Sequence, residues 1–109
     1  MKGKYLGEFE EIVMLTVGVL FDEAYGIVIK ETIETRLNRR VGLGALHSTL
    51  VRLQDKGYLD SRYGEATNKR GGKRKRFFRV TMQGQKVLKE AMATRQDLWN
   101  SIPPLAFDI

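Results

Sequence analysis

A chain of 109 residues, 42% of them hydrophobic and none of them cysteine, makes one domain with one modest core and no disulfides or thiol-bound metal. Its single histidine, His47, supplies neither a catalytic constellation nor an imidazole metal site, so no enzyme, metal or cofactor is expected. The net charge of +6 is unevenly placed: positions 36–79 hold thirteen Lys/Arg against three acids, while the remainder is mildly acidic, a pattern that fits a polyanionic partner on one face.

Residues 2–7 read as a frayed lead-in. From Glu8 onward, Phe9, Ile12, Val13, Thr16, Val17 and Leu20 recur at helical spacing, with Glu8, Glu10 and Glu11 at the helix's positive end. Met14, Leu15 and Val19 widen the stripe past one face, so this helix is either deeply buried or packed between two neighbours, a second subunit being one candidate. The apolar run at 12–21 is broken by Thr16 and Gly18 and is too short to span a bilayer. The acids before it do not suit a signal peptide, so a cytoplasmic protein without membrane association is expected.

Asp22-Glu23-Ala24 breaks the first helix, and Tyr25-Gly26 leads into a second with Ile27, Ile29, Ile33 and Leu37 on its apolar side. Its β-branched residues lower intrinsic propensity, so tertiary packing must hold it. Asn38-Arg39-Arg40 closes it, and Val41 with Leu43 is expected to form a short strand. A third helix follows, with Leu46, Leu50 and Leu53 at i, i+4 and i+7 and Gly57 as its stop. The opposite face carries Gly44, Ala45, Ser48, Arg52 and Asp55. Small and polar groups early in a helix let its backbone approach base edges in a major groove, although this pattern alone equals that of any solvated helix face.

Residues 58–63 read as a strand, 64–72 as a glycine-rich tip, and 73–80 as a return strand carrying Phe77, Phe78 and Val80. Lys69, Arg70, Lys73, Arg74, Lys75 and Arg76 put six cations into eight residues around Gly71-Gly72. Such a cluster repels itself unless a phosphate backbone neutralises it. The glycines lack the spacing and Lys-Ser/Thr ending of a phosphate-cradling P-loop. Helix, strand, basic tip, strand is the layout of a winged helix-turn-helix.

Thr81 is a suitable N-cap for a last helix running to about Ser101, which Pro103-Pro104 ends. Its stripe of Val87, Leu88, Ala91, Met92, Leu98, Trp99 and Ile102 either covers the domain or pairs with a copy of itself, and Arg95 interrupts it. The fold class expected is mainly α with a small β-wing, one compact unit overall. Residues 1–80 form a winged helix-turn-helix DNA-binding domain, and 81–109 a C-terminal dimerisation helix and tail. Double-stranded DNA is expected to meet Gly44, Ala45, His47, Ser48, Thr49 and Arg52 of the third helix and the six wing cations. A homodimer joint is expected at Phe9, Val13, Leu88, Ala91, Met92, Arg95, Leu98 and Trp99, with Arg95 reaching across it to Asp97 or Glu8. An RNA-binding winged helix and a dimerising adaptor for an acidic protein are the alternatives. The first lacks an exposed aromatic pair for base stacking, because Phe77 and Phe78 alternate.

The chain resembles the PadR family of bacterial transcriptional regulators in Tyr25-Gly26, Gly44-Ala45-Leu46-His47, Leu50-x-Arg52-Leu53 with Lys56-Gly57, the basic glycine-rich wing, and Thr81-x-x-Gly84. The order and spacing of this set, over roughly residues 15–88, carry the resemblance. It implies a dimeric repressor that binds a promoter inverted repeat through the third helix and wing and dimerises through the first and last helices. It also implies release by a small hydrophobic or aromatic effector, for which Trp99 is the stacking candidate. Two positions depart from the family pattern: His47 stands where a tyrosine is usual, and Ala45 where a threonine is common.

Overall fold

Three helices enclose the core in the computed structural model, which describes residues 6–64 and 74–108. They are α1 (Glu8–Leu20), α2 (Gly26–Leu37) and α3 (Leu43–Asp55), followed by β1 (Leu59–Tyr63), β2 (Arg76–Val80) and α4 (Met82–Ser101). Val13, Met14 and Val17 of α1 meet Ile29 and Ile33 of α2 and Leu46, Leu50 and Leu53 of α3, and Leu59 and Phe78 close the layer from the sheet. The predicted stripe of α3 is thus buried whole, whereas Ile27 and Leu37 at the two ends of the predicted α2 stripe are exposed, as are Leu98, Trp99 and Ile102 of the last helix. The expected lead-in falls mostly, and the wing tip almost entirely, outside the described residues.

β1 and β2 form an antiparallel pair in register from Leu59 opposite Val80 to Tyr63 opposite Arg76. The expected strand at Val41 and Leu43 does not form: Gly42 is the N-cap of α3 and Leu43 its first residue. The Val41 amide donates instead to Glu34 Oε2 at 2.9 Å, which occupies the donor a strand would have used. The sheet gains its third edge at the entry to α2, where Tyr25 bridges Phe77 and the Phe78 amide donates to the Ala24 carbonyl at 2.8 Å. The Tyr25 and Phe77 rings meet edge to face at 5.3 Å between centroids.

The ends of α3 and α4 are locked together. Gly57, at φ +84°, takes the left-handed position, its amide bonding the Gln54 carbonyl while the Tyr58 amide bonds that of Leu53. These two bonds make the Schellman ending, which satisfies carbonyls the helix leaves over. Thr81 Oγ1 donates to the Gly57 carbonyl at 2.6 Å and accepts from the Gly84 amide at 3.0 Å, capping α4 on the stop of α3. Gly84 is buried against the Tyr58 carbonyl, where a Cβ would collide with that backbone oxygen. Beyond this knot α4 leans on the body loosely, and Gly84 is its one buried residue.

Candidate nucleic-acid interface

α3 presents three faces with different tasks. Leu46, Leu50 and Leu53 enter the core. Gly44, Ala45, His47 and Ser48, along the N-terminal half, are exposed, and three of the four are small enough to let a duplex edge approach the backbone. Thr49 is not on that surface. It is buried, its hydroxyl donating to the Ala45 carbonyl at 2.9 Å and accepting from Arg52 Nη2 at 3.3 Å. Arg52 belongs to the open side by its helical angle, yet its guanidinium bends back so that Nε donates to Glu10 Oε2 at 3.1 Å. Lys56 Nζ donates to the same oxygen at 3.1 Å.

Glu10 therefore anchors α3 to α1. Its other oxygen accepts the Gly7 amide at 2.8 Å. Burial raises its pKa, but the bonds from Gly7, Lys56 and Arg52 together outweigh that and hold it below the usual glutamate value. On the next residue, Glu11 Oε2 accepts from Arg95 Nη2 of α4 at 2.8 Å. Two adjacent carboxylates of α1 thus tie it to α3 and to α4. Within the chain, Arg95 is thus paired with Glu11.

The wing is tied to α3 by a polar clasp. Arg76 Nε donates to Ser61 Oγ at 3.0 Å and its Nη2 to Gln54 Oε1 at 2.8 Å, while Ser61 donates to Gln54 at 2.9 Å. Arg74 and Lys75 are exposed. Lys75 lies 4.5 Å above the Tyr25 ring centroid and its Nζ is 3.3 Å from the Tyr25 hydroxyl. Lys69, Arg70 and Lys73 lie outside the described residues. Of the expected DNA contacts, the structure brings Gly44, Ala45, His47, Ser48, Arg74 and Lys75 to open surface, holds Arg52 and Arg76 in internal pairs, and buries Thr49. Tyr25 joins this surface through Lys75, although the sequence marks it only as a helix entry.

The residues expected at a dimer joint also divide. Val13 is fully buried inside the chain and has no surface left for a partner, and Phe9 is half-buried beneath the Arg39 guanidinium at 5.5 Å. Leu88, Ala91 and Met92 are half-buried, whereas Leu98 and Trp99 are 64% and 63% exposed. The tail folds back after Pro103 so that Phe107 meets Trp99 at 6.0 Å between centroids. No described helix is long and apolar enough to cross a membrane.

The family model for PadR-like transcriptional regulators matches residues 16–90. Among solved structures, a PadR-like transcription factor from bacteroid fragilis is similar with a TM-score of 0.73 at 24% identity, over 85% of this chain and 84% of the other. A PadR family transcriptional regulator from Eggerthella lenta gives 0.66 at 24% identity, over 92% and 87%. The complex structure of hsRosR-S4 gives 0.69 at 19% identity, over 93% and 80%. At these identities the likenesses concern the fold. A search of curated proteins finds no match. A family model covering more than half of the chain, on a helix-turn-helix and wing in the required order, makes this protein a member of the PadR-like family of DNA-binding transcriptional regulators.

Proposed function

We propose that the protein acts as a homodimeric repressor in the cytoplasm, binding an inverted repeat in double-stranded DNA and leaving it when a small hydrophobic or aromatic effector binds. The observation that carries the reading is the open, small-residued N-terminal half of α3, on a chain that also exposes Arg74 and Lys75 without a carboxylate partner among the described residues. Phosphates are the natural complement of those cations, and base edges of the small-residue face. Dimerisation is supported by α4, a twenty-residue helix that buries one residue and leaves Leu98 and Trp99 in solvent. A second copy would cover them and double the number of base pairs read.

The test is retention of genomic fragments by the purified full-length protein. An enriched fragment is then compared with a scrambled duplex and with single-stranded RNA over a salt series. Preference for an inverted repeat, two protomers per site and steep loss of affinity with salt are expected. Equal retention of single-stranded RNA would remove DNA as the partner.

A further inference from the structure

Arg52 is pulled in two directions. It follows Ser48 by four positions, and residues four apart in a helix lie side by side, so its backbone belongs to the exposed row of α3. Its guanidinium nevertheless rests on Glu10 at 3.1 Å, with Nη2 at 3.3 Å from the Thr49 hydroxyl. The side chain is still 53% exposed in that pose. Rotation about the bonds of its long stem, with no movement of the helix, is enough to turn the charge outward.

Glu10 is the buried member of the pair, its side chain 10% exposed, and a buried carboxylate stripped of partners is costly. The departure of Arg52 does not strip it. Lys56 Nζ stays on the same Oε2 at 3.1 Å, and the Gly7 amide stays on Oε1 at 2.8 Å. One carboxylate thus holds two cations, one more than neutrality needs, and the two repel each other across a shared oxygen. The neighbouring Glu11 differs: Arg95 is its one cation among the described residues, so losing it would leave a bare carboxylate.

We infer that Arg52 is an exchangeable cation, resting on Glu10 in the free protein and passing to a duplex phosphate when DNA binds, while Lys56 remains on Glu10. The inference rests on the DNA-binding reading above. Arg52 gives Glu10 one hydrogen bond, from Nε, whereas a phosphate can accept two in parallel from a guanidinium. Glu10 is then a positioning residue that competes with DNA. Phosphates are alike in every duplex, so it lowers affinity for all of them by the same factor and leaves discrimination to the base contacts.

The full-length parent, Arg52→Gln, Glu10→Gln and the double variant are titrated with a random duplex and with the enriched duplex over a salt series. Arg52→Gln should lower the slope of log affinity against log salt by about one, the signature of a lost phosphate contact. Glu10→Gln should tighten binding about threefold on both duplexes, the order of one partly exposed ion pair. That gain should vanish in the double variant. Arg52 is mostly exposed, so its single variant keeps the test decisive if Glu10→Gln unfolds. An unchanged slope in Arg52→Gln would overturn the proposal, because the arginine then stays on Glu10 in the complex. Weaker binding by Glu10→Gln would overturn it too, by making the pair a mere support of α3. So would an equal gain with and without Arg52, which is only the general effect of removing a negative charge. A parent that shows no salt-dependent duplex binding would remove the DNA reading itself, and this inference with it, before any variant is compared.

Discussion

Glu10 of α1 and Arg52 of α3 lie forty-two positions apart in the chain and meet at 3.1 Å, so a cation on the open side of α3 is turned onto the body. Lys56 shares the same carboxylate oxygen. The pKa of Glu10 is depressed in the folded protein, so the unfolded chain binds its proton more readily. The resulting stability is present above the ordinary carboxylate range and is lost as pH falls through the folded value. Glu10→Gln should cost about 1–2 kcal/mol at neutral pH and flatten the acid side of the stability profile. Denaturant titrations from neutral pH down to about pH 3.5 check this, the ordinary glutamate pKa being about 4.3. A variant as stable as the parent at neutral pH would deny the anchor its role.

Ser48, on the exposed face of α3, is the better candidate for reading sequence than Arg52. Ser48→Ala should cost roughly 1–3 kcal/mol on the enriched duplex and little on scrambled DNA. Fluorescence anisotropy on both duplexes measures the difference. Equal losses on the two would make Ser48 a backbone contact.

On the wing, Arg74→Gln and Lys75→Gln should weaken binding to specific and random duplex alike. Each should also lower the slope of log affinity against log salt by about one for every phosphate that is no longer neutralised. An unchanged slope in both variants means that this strand does not lie on the duplex.

Gly84→Ala places a methyl group against the Tyr58 carbonyl, between the stop of α3 and the cap of α4, where neither backbone has room to move. A loss of about 2–4 kcal/mol is expected, at the upper end for overpacking because the obstacle is backbone. Thermal unfolding of the variant beside the parent shows it. A melting temperature equal to the parent's would mean that the knot yields.

Replacing Leu98 and Trp99 together by Ala should leave the fold intact, since both are mostly exposed in the single chain. Sedimentation should then report monomer, with tight operator binding lost and weak salt-sensitive binding through the wing kept. A dimer surviving the double substitution would place the joint elsewhere.

Local chemistry makes much of the fold legible. Gly57, Thr81 and Pro103 act on their immediate neighbours, so the end of α3 and both ends of α4 follow from the chain itself. Val41 and Leu43 mislead because the competitor for the Val41 amide is a carboxylate seven positions back, which no periodicity encodes. The third sheet edge at Tyr25 depends on a partner fifty-two positions away and is equally hidden. On the candidate interface, helical angles place Gly44, Ala45, His47 and Ser48 outward. They do not tell that Arg52 is long enough to reach Glu10, or that the Thr49 hydroxyl is consumed within its own helix. Val13 looks available to a partner only because an over-wide apolar stripe does not reveal which side faces the chain's own core.

α4 is anchored at its first turn by the Thr81–Gly57 knot and carries its exposed apolar end some four turns further on. In the proposed dimer the helix behaves as a graduated rod. Each residue inserted between Lys89 and Asp97 advances Leu98 and Trp99 by about 1.5 Å and swings them about 100° around the axis. One insertion would therefore aim the joint away from its counterpart, and only a change of about seven residues, near two full turns, would restore its heading. Half-sites about one duplex turn apart, roughly 34–36 Å, come in similarly coarse steps. The spacing of an operator and the length of this rod can change only together and in jumps, whereas the bases read within each half-site can drift one substitution at a time.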